Sequence, residues 1–167
     1  LKKFLILKNI YKLFSDSTSK DIFLNIFPQF EYYERLKIIN NLDLKIRDKY
    51  DNYLILAALI LDRTNSYEYF CHKYKTSNSI KNRFENISVN FENLKSKKFY
   101  LEENIKKLIY LSNKDYVRDL LLFSICTNNK IKTLNIEKLI DYVTNCEMPK
   151  FPISGDYLKK HGYVTGQ

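Results

Sequence analysis

Asp51-Asn52-Tyr53-Leu54-Ile55-Leu56-Ala57-Ala58-Leu59-Ile60-Leu61 is the stretch that decides the fold class. Tyr53–Leu61 is apolar at every position, and a run of that length fits a buried strand as well as a buried helix. Its alanine pair and leucines favour helix, no partner strand is apparent nearby, and Asp51 or Asn52 is placed to act as N-cap. The reading is a central buried helix, and with it an all-α fold. A membrane span needs about 20 apolar residues, so this run is too short to cross one and no membrane partner is expected.

On either side, apolar residues recur at helical spacing between polar breaks. Upstream, the pattern predicts helices over Leu1–Phe14, Asp21–Phe27 and Phe30–Asn41, with Ser15–Ser19 as a polar break. The second of these must stop ahead of Pro28, because the residue before proline is pushed out of the helical region. In the third, Phe30, Tyr33, Leu36 and Ile39 face inward. Downstream, Ser66 caps a helix over Tyr67–Tyr74, and Ser79–Leu94 carries Ile80, Phe84, Ile87 and Phe91 on one face. Lys95–Lys98 reads as a basic, solvated loop. Leu101–Leu111 buries Ile105, Leu108 and Ile109. Ser112-Asn113 caps Lys114–Cys126, whose inward residues are Tyr116, Val117, Leu120, Leu121 and Ile125. Asn135–Cys146 is the last, facing inward through Ile136, Leu139, Ile140 and Val143. The expected architecture is an irregular bundle of about eight or nine helices of ordinary length, forming a body over residues 1–147.

Residues 148–167 differ in kind. All three glycines of the chain and two of its three prolines lie here. Proline stops helices and glycine permits turns and close approach to a ligand. The expected tail element is a turn, Ser154 at or beside an N-cap, a short helix Asp156–His161 and a second turn at Gly162. The chain does not open on Met and stops at Gly166-Gln167, so it is expected to be a piece of something longer with a truncated tail.

Several chemistries find no support. No two acidic residues are separated by a single residue (D/E-x-D/E), so the local carboxylate pair of two-metal phosphoryl transfer is missing. A glycine-rich phosphate loop is impossible before Gly155. The two histidines, His72 and His161, have no metal-ligand spacing; Cys71 and His72 are adjacent and point to different sides of a helix. Cys71, Cys126 and Cys146 are odd in number and widely spaced, which fits reduced thiols and a cytoplasmic location. No catalytic residue, metal or cofactor is assigned to this chain.

The formal charge of +9 suits an anionic partner such as nucleic acid. The same excess of Lys, Ile and Asn is what an AT-rich genome encodes, so charge alone does not decide. Tyr interleaved with Lys, as in Tyr32-Tyr33, His72-Lys73-Tyr74-Lys75 and Lys97-Lys98-Phe99-Tyr100, either stacks bases or packs at helix edges. Two helix starts carry the best positional signal. Ser77-Asn78 opens a helix bearing Lys81 and Arg83, with Lys75 just ahead; Ser154-Gly155 opens one bearing Lys159 and Lys160, with Lys150 ahead. Helix N-termini offer unpaired N–H groups and a positive partial charge, which suits phosphate. Plain helix capping is the other reading of both.

Four stretches also resemble the C-terminal body and tail of bacterial class II tRNA nucleotidyltransferases (CCA-adding enzymes) and their poly(A) polymerase relatives. Phe27-Pro28-Gln29 with Glu34-Arg35-Leu36 is similar to the family's L-P-E and E-R-L. Lys75-Thr76-Ser77-Asn78 with Arg83 is similar to R-L-S-N…R, Arg118-Asp119-Leu120-Leu121-Leu122 to R-D-L-L-L, and Phe151–Leu158 with Gly162 and Gly166 to F-P-[IL]-S-G-x-D-L…G…G. Thr76 departs from the family's apolar residue and Lys75 from its frequent Arg. The resemblance implies an all-helical RNA-gripping body that holds the acceptor and T arms of tRNA or another structured RNA. Taken with the two helix starts, it points to contacts through Lys75, Ser77, Asn78, Lys81, Arg83, Lys150, Ser154, Gly155, Lys159 and Lys160. The family's catalytic head, with its Mg²⁺ and its ATP or CTP, has no counterpart here. That leaves a separately encoded head as a partner, with the chain as a docking module, or a gene remnant, as alternatives.

Overall fold

Asp51 caps the apolar run: its carboxylate accepts the Leu54 N–H at 2.8 Å, and the run that follows is helical. The computed structural model describes residues 10–127, 133–147 and 159–162. Among them are ten α-helices and no strand. They are α1 (Tyr11–Ser15), α2 (Ser17–Ile26), α3 (Glu34–Asn40), α4 (Leu44–Arg47), α5 (Asn52–Ile60), α6 (Ser66–Lys73), α7 (Asn78–Val89), α8 (Glu102–Leu111), α9 (Lys114–Thr127) and α10 (Thr133–Asn145). Two 3₁₀ turns, Asn93–Lys95 and Lys97–Tyr100, join α7 to α8.

The centre of the bundle is α9, not α5 as the sequence suggests. Helices α3, α5, α7, α8 and α10 all pack on α9. Every residue from Leu120 to Cys126 is buried, as are Val117 and Asp119. The alternating polar residues that disguise α9 are satisfied internally. Ser124 Oγ donates to Leu121 O at 2.6 Å within its own helix, and Asp119 meets an arginine from α7. Buried polar groups are tolerated when they are hydrogen-bonded in this way. Helix α5 lies against α3 and α9, with Leu54 and Leu56–Ile60 buried. The Tyr50 hydroxyl, just ahead of α5, donates to Leu122 O at 2.7 Å and ties that entry to α9.

Other boundaries move for local reasons. The polar Ser17-Thr18-Ser19 is the first turn of α2, not a break, because Asp16 accepts the Ser19 N–H at 2.8 Å. Asn65 holds the cap position of α6, while Ser66 lies inside the helix and its hydroxyl donates to Asp62. Helix α7 ends at Val89 rather than Leu94: the Asn90 side chain donates back to Asn86 O at 2.9 Å, and the chain turns into 3₁₀ geometry. Phe30 is buried as expected, but from the loop ahead of α3. Ile136, Leu139, Ile140 and Val143 of α10 are buried as expected. Among the described residues, no helix is long and apolar enough to cross a membrane.

Candidate nucleic-acid interface

The corner between α6 and α7 is built by the backbone. Helix α6 stops in a paired turn: Thr76 N donates to Cys71 O at 3.0 Å and Lys75 N to His72 O at 3.3 Å. This is the Schellman arrangement, in which the turning residue adopts left-handed geometry. That residue is Lys75, at φ 47°, where glycine or asparagine is usual. The next position normally packs an apolar side chain back on the helix. Here it is Thr76, whose buried hydroxyl lies by the Cys71 thiol.

The chain then extends through Ser77 (ψ 154°) and enters α7. Ile80 N and Lys81 N both donate to Ser77 O, at 3.0 and 3.1 Å. The N–H groups of Ser77, Asn78 and Ser79 have no acceptor among the described residues, and the Ser77 side chain does not cap. Asp16, Asp51 and Asn113 cap α2, α5 and α9 through their side chains, whereas α1, α3, α4, α6 and α8 start without such a cap, as α7 does. No acidic residue stands in the first turn of α7, and none occurs from Tyr69 to Phe84. Ser77, Asn78, Ser79 and Lys75 are exposed and Lys81 is half-buried. Among the described residues, neither Lys75 nor Lys81 enters an ion pair. Three open amides and the exposed Lys75 thus stand at this helix start, with the half-buried Lys81 at the end of its first turn.

Arg83 does not join them. Its Nε and Nη2 form a two-pronged pair with Asp119 at 2.7 and 3.0 Å, and its Nη1 bonds Asp51 at 2.7 Å. Its side chain is 18 % exposed and that of Asp119 only 3 %. Burial works against the charge on Arg83, but the bonds from Asp119 and Asp51 outweigh it and raise its pKa. The expectation of a phosphate contact at Arg83 is corrected: three of its five N–H donors and most of its side chain are engaged in clipping α7 to α9 and to the cap of α5. An acid buried on α9 needs a cation at that point, which a linear pattern does not display.

The tyrosines pointed out by sequence are mostly packed. Tyr33 stacks on Phe14 at 5.4 Å, Tyr74 packs on Phe70 at 4.5 Å, and the Tyr100 hydroxyl donates to Leu94 O at 2.7 Å. The open ring near the corner is one the sequence reading missed, Tyr69, 60 % exposed, with Lys73 Nζ 5.8 Å from its centroid. Its place opposite the buried face of α6 (Tyr67, Phe70, Cys71) is the helical-period signal that would have found it.

In the tail, Lys159 and Lys160 are exposed, and Gly162 (φ 87°) turns the chain with its N–H on Lys159 O at 3.2 Å. The expected contacts Lys150, Ser154 and Gly155 lie outside the described residues. Among the described residues, no group of three or more His, Cys, Asp or Glu could hold a metal ion. No protein-family model, curated protein or solved structure matches this chain.

Proposed function

We propose that this chain is an RNA-binding helical body of a tRNA nucleotidyltransferase or poly(A) polymerase, serving tRNA 3′-end processing without catalytic residues of its own. One observation supports the reading: the amides of Ser77, Asn78 and Ser79, without an acceptor among the described residues and flanked by Lys75 and Lys81, at a helix start with no acidic residue in its own first turn. Asp115 and Asp119 of α9 share a cavity with Ser79, so the phosphate is expected on the Lys75 side. Such a corner accepts a phosphate through backbone geometry and leaves base identity unread, as suits shape recognition of tRNA. Lys159 and Lys160 add positive charge from the tail. Anisotropy of labelled tRNA, titrated at several salt concentrations, tests it. Affinity should fall steeply with salt, and Lys75→Glu with Lys81→Glu should weaken binding and flatten the slope by roughly two phosphates' worth. No salt-sensitive binding at low ionic strength would remove the reading.

A second reading, docking on a separately encoded head, has its own support. Helix α2 buries no residue, and Ile22 and Ile26 stand one turn apart at 53 % and 56 % exposure. RNA-independent co-purification with a nucleotidyltransferase head, lost in Ile22→Asp, would favour it.

A further inference from the structure

Beyond the C-terminal end of α7 lies an open cavity of about 370 Å³, lined by Tyr32, Arg35, Asp62, Arg63, Thr64 and Phe91. It is some 18 Å along the helix from the corner described above, at 1.5 Å per residue. Arg35 is its unusual member. The guanidinium is half-buried, yet no carboxylate lies within ion-pair distance among the described residues. Only Nη1 is bonded, to Ala58 O at 3.1 Å and Leu61 O at 2.6 Å, which caps the end of α5. Nε and Nη2 keep donors with no acceptor among the described residues. Tyr32 covers one face of the guanidinium at 4.0 Å, and Phe91 and Phe123 lie 5.9 and 5.6 Å away.

The remaining polar groups are committed. Asp62 Oδ1 accepts from Thr64 N, Thr64 Oγ1 and Ser66 Oγ, and Oδ2 accepts from the Tyr32 hydroxyl. Burial works against its charge, but these bonds overcome it and hold the carboxyl below its usual range. Asp62 therefore fixes the α5–α6 loop and has little left for a ligand. At the rim, Arg63 pairs with Glu92 at 2.9 Å. Lys95 Nζ bonds the same Glu92 carboxylate at 2.8 Å and lies 5.9 Å from the Phe91 ring. Three cations and two carboxylates thus surround the cavity, and the single surplus charge sits on exposed side chains at the rim.

A ligand here meets Arg35 edge-on, because Tyr32 occupies its face, and it lies among aromatic walls. Two adjacent acceptors in the plane of a flat ring satisfy that geometry. Guanine offers O6 and N7 in this way, the commonest partner of an arginine fork, and unpaired bases are commonly stacked on aromatic rings and guanidinium planes. We infer that this cavity binds an unpaired guanine base, with Arg35 reading its O6/N7 edge and Tyr32 and Phe91 holding its ring. The volume falls within the ~300–1,000 Å³ of small-ligand sites. The inference goes beyond the phosphate corner and is tested without RNA.

Amide NMR titration of the whole chain with guanosine 5′-monophosphate, cytidine 5′-monophosphate and inorganic phosphate decides it. The guanine nucleotide should give saturable shifts at Thr64 and Phe91. The cytidine nucleotide should bind at least about fivefold more weakly. Arg35→Lys keeps a donor for the α5 carbonyls but loses the fork, and Phe91→Leu loses a wall. Each should weaken binding about tenfold. Should Arg35→Lys fail to fold, Phe91→Leu alone decides. No saturation by about 10 mM guanine nucleotide, an equal response to phosphate or to the cytidine nucleotide, or unchanged affinity in the folded variants would overturn the inference.

Discussion

Removing Asp119 separates structural from RNA-binding roles at Arg83. In Asp119→Ala, Arg83 loses its Nε and Nη2 partners and keeps the single bond to Asp51. Truncating one side of a buried pair costs about 3–5 kcal/mol, because the other charge stays behind unpaired. Arg83 is 18 % exposed and retains Asp51, so the lower end, about 3 kcal/mol, is expected here. Asp51 Oδ1 still caps α5, so helix content should be unchanged. For a chain of this size the melting temperature should drop by roughly 6–12 °C. Urea unfolding followed by circular dichroism gives the free energy, and tRNA anisotropy on the same samples, held well below the melting point, gives the affinity. Replacing both partners, as Arg83→Met with Asp119→Leu, should recover most of the loss, since a buried pair is often matched by packed apolar groups. A destabilisation under about 1 kcal/mol together with a large loss of RNA affinity in Arg83→Met/Asp119→Leu would refute the clip and return Arg83 to the interface.

Lys75→Gly should raise stability by about 0.5–1 kcal/mol, since it relieves the left-handed conformation of a side-chain-bearing residue; the same change should weaken RNA binding, and chemical denaturation beside anisotropy reads both. The buried Tyr50 hydroxyl has its pKa pushed well above the ordinary value, chiefly by burial. The stability it contributes is complete below the unfolded value near ~10 and is lost as pH rises beyond it. Tyr50→Phe should therefore cost about 1 kcal/mol at neutral pH and flatten the alkaline fall of the urea midpoint. Burial also pushes the Cys126 thiol up to about 12; iodoacetamide mass mapping of the native chain should label the half-buried Cys146 first and leave Cys126 unmodified until the chain unfolds.

Sequence and structure agree where the determining physics is local. An apolar run behind Asp51, the stop at Pro28, the Asn113 cap and the inward faces of α7 and α10 all follow from period and capping, which operate within a few residues. The Ser77 start was legible for the same reason. The rest depends on partners distant in the chain or on side chains that capture backbone groups. The centrality of α9 is hidden by Asp119 and Ser124, whose polarity is cancelled by Arg83, 36 residues away, and by the helix's own carbonyl. Arg83 looked free because a linear pattern cannot show its two carboxylates. The left-handed turn at Lys75 was invisible because lysine, unlike glycine, does not advertise it. The shortened end of α7 follows from one amide, that of Asn90, folding back on Asn86 O.

The account's central claim concerns three backbone amides, and they can be watched directly. Amide NMR during titration with an acceptor–T-arm minihelix should move Ser77, Asn78 and Ser79 together, and added salt should reverse the shifts. RNA binding with these three resonances unmoved, or no binding while the fold is intact, would contradict it.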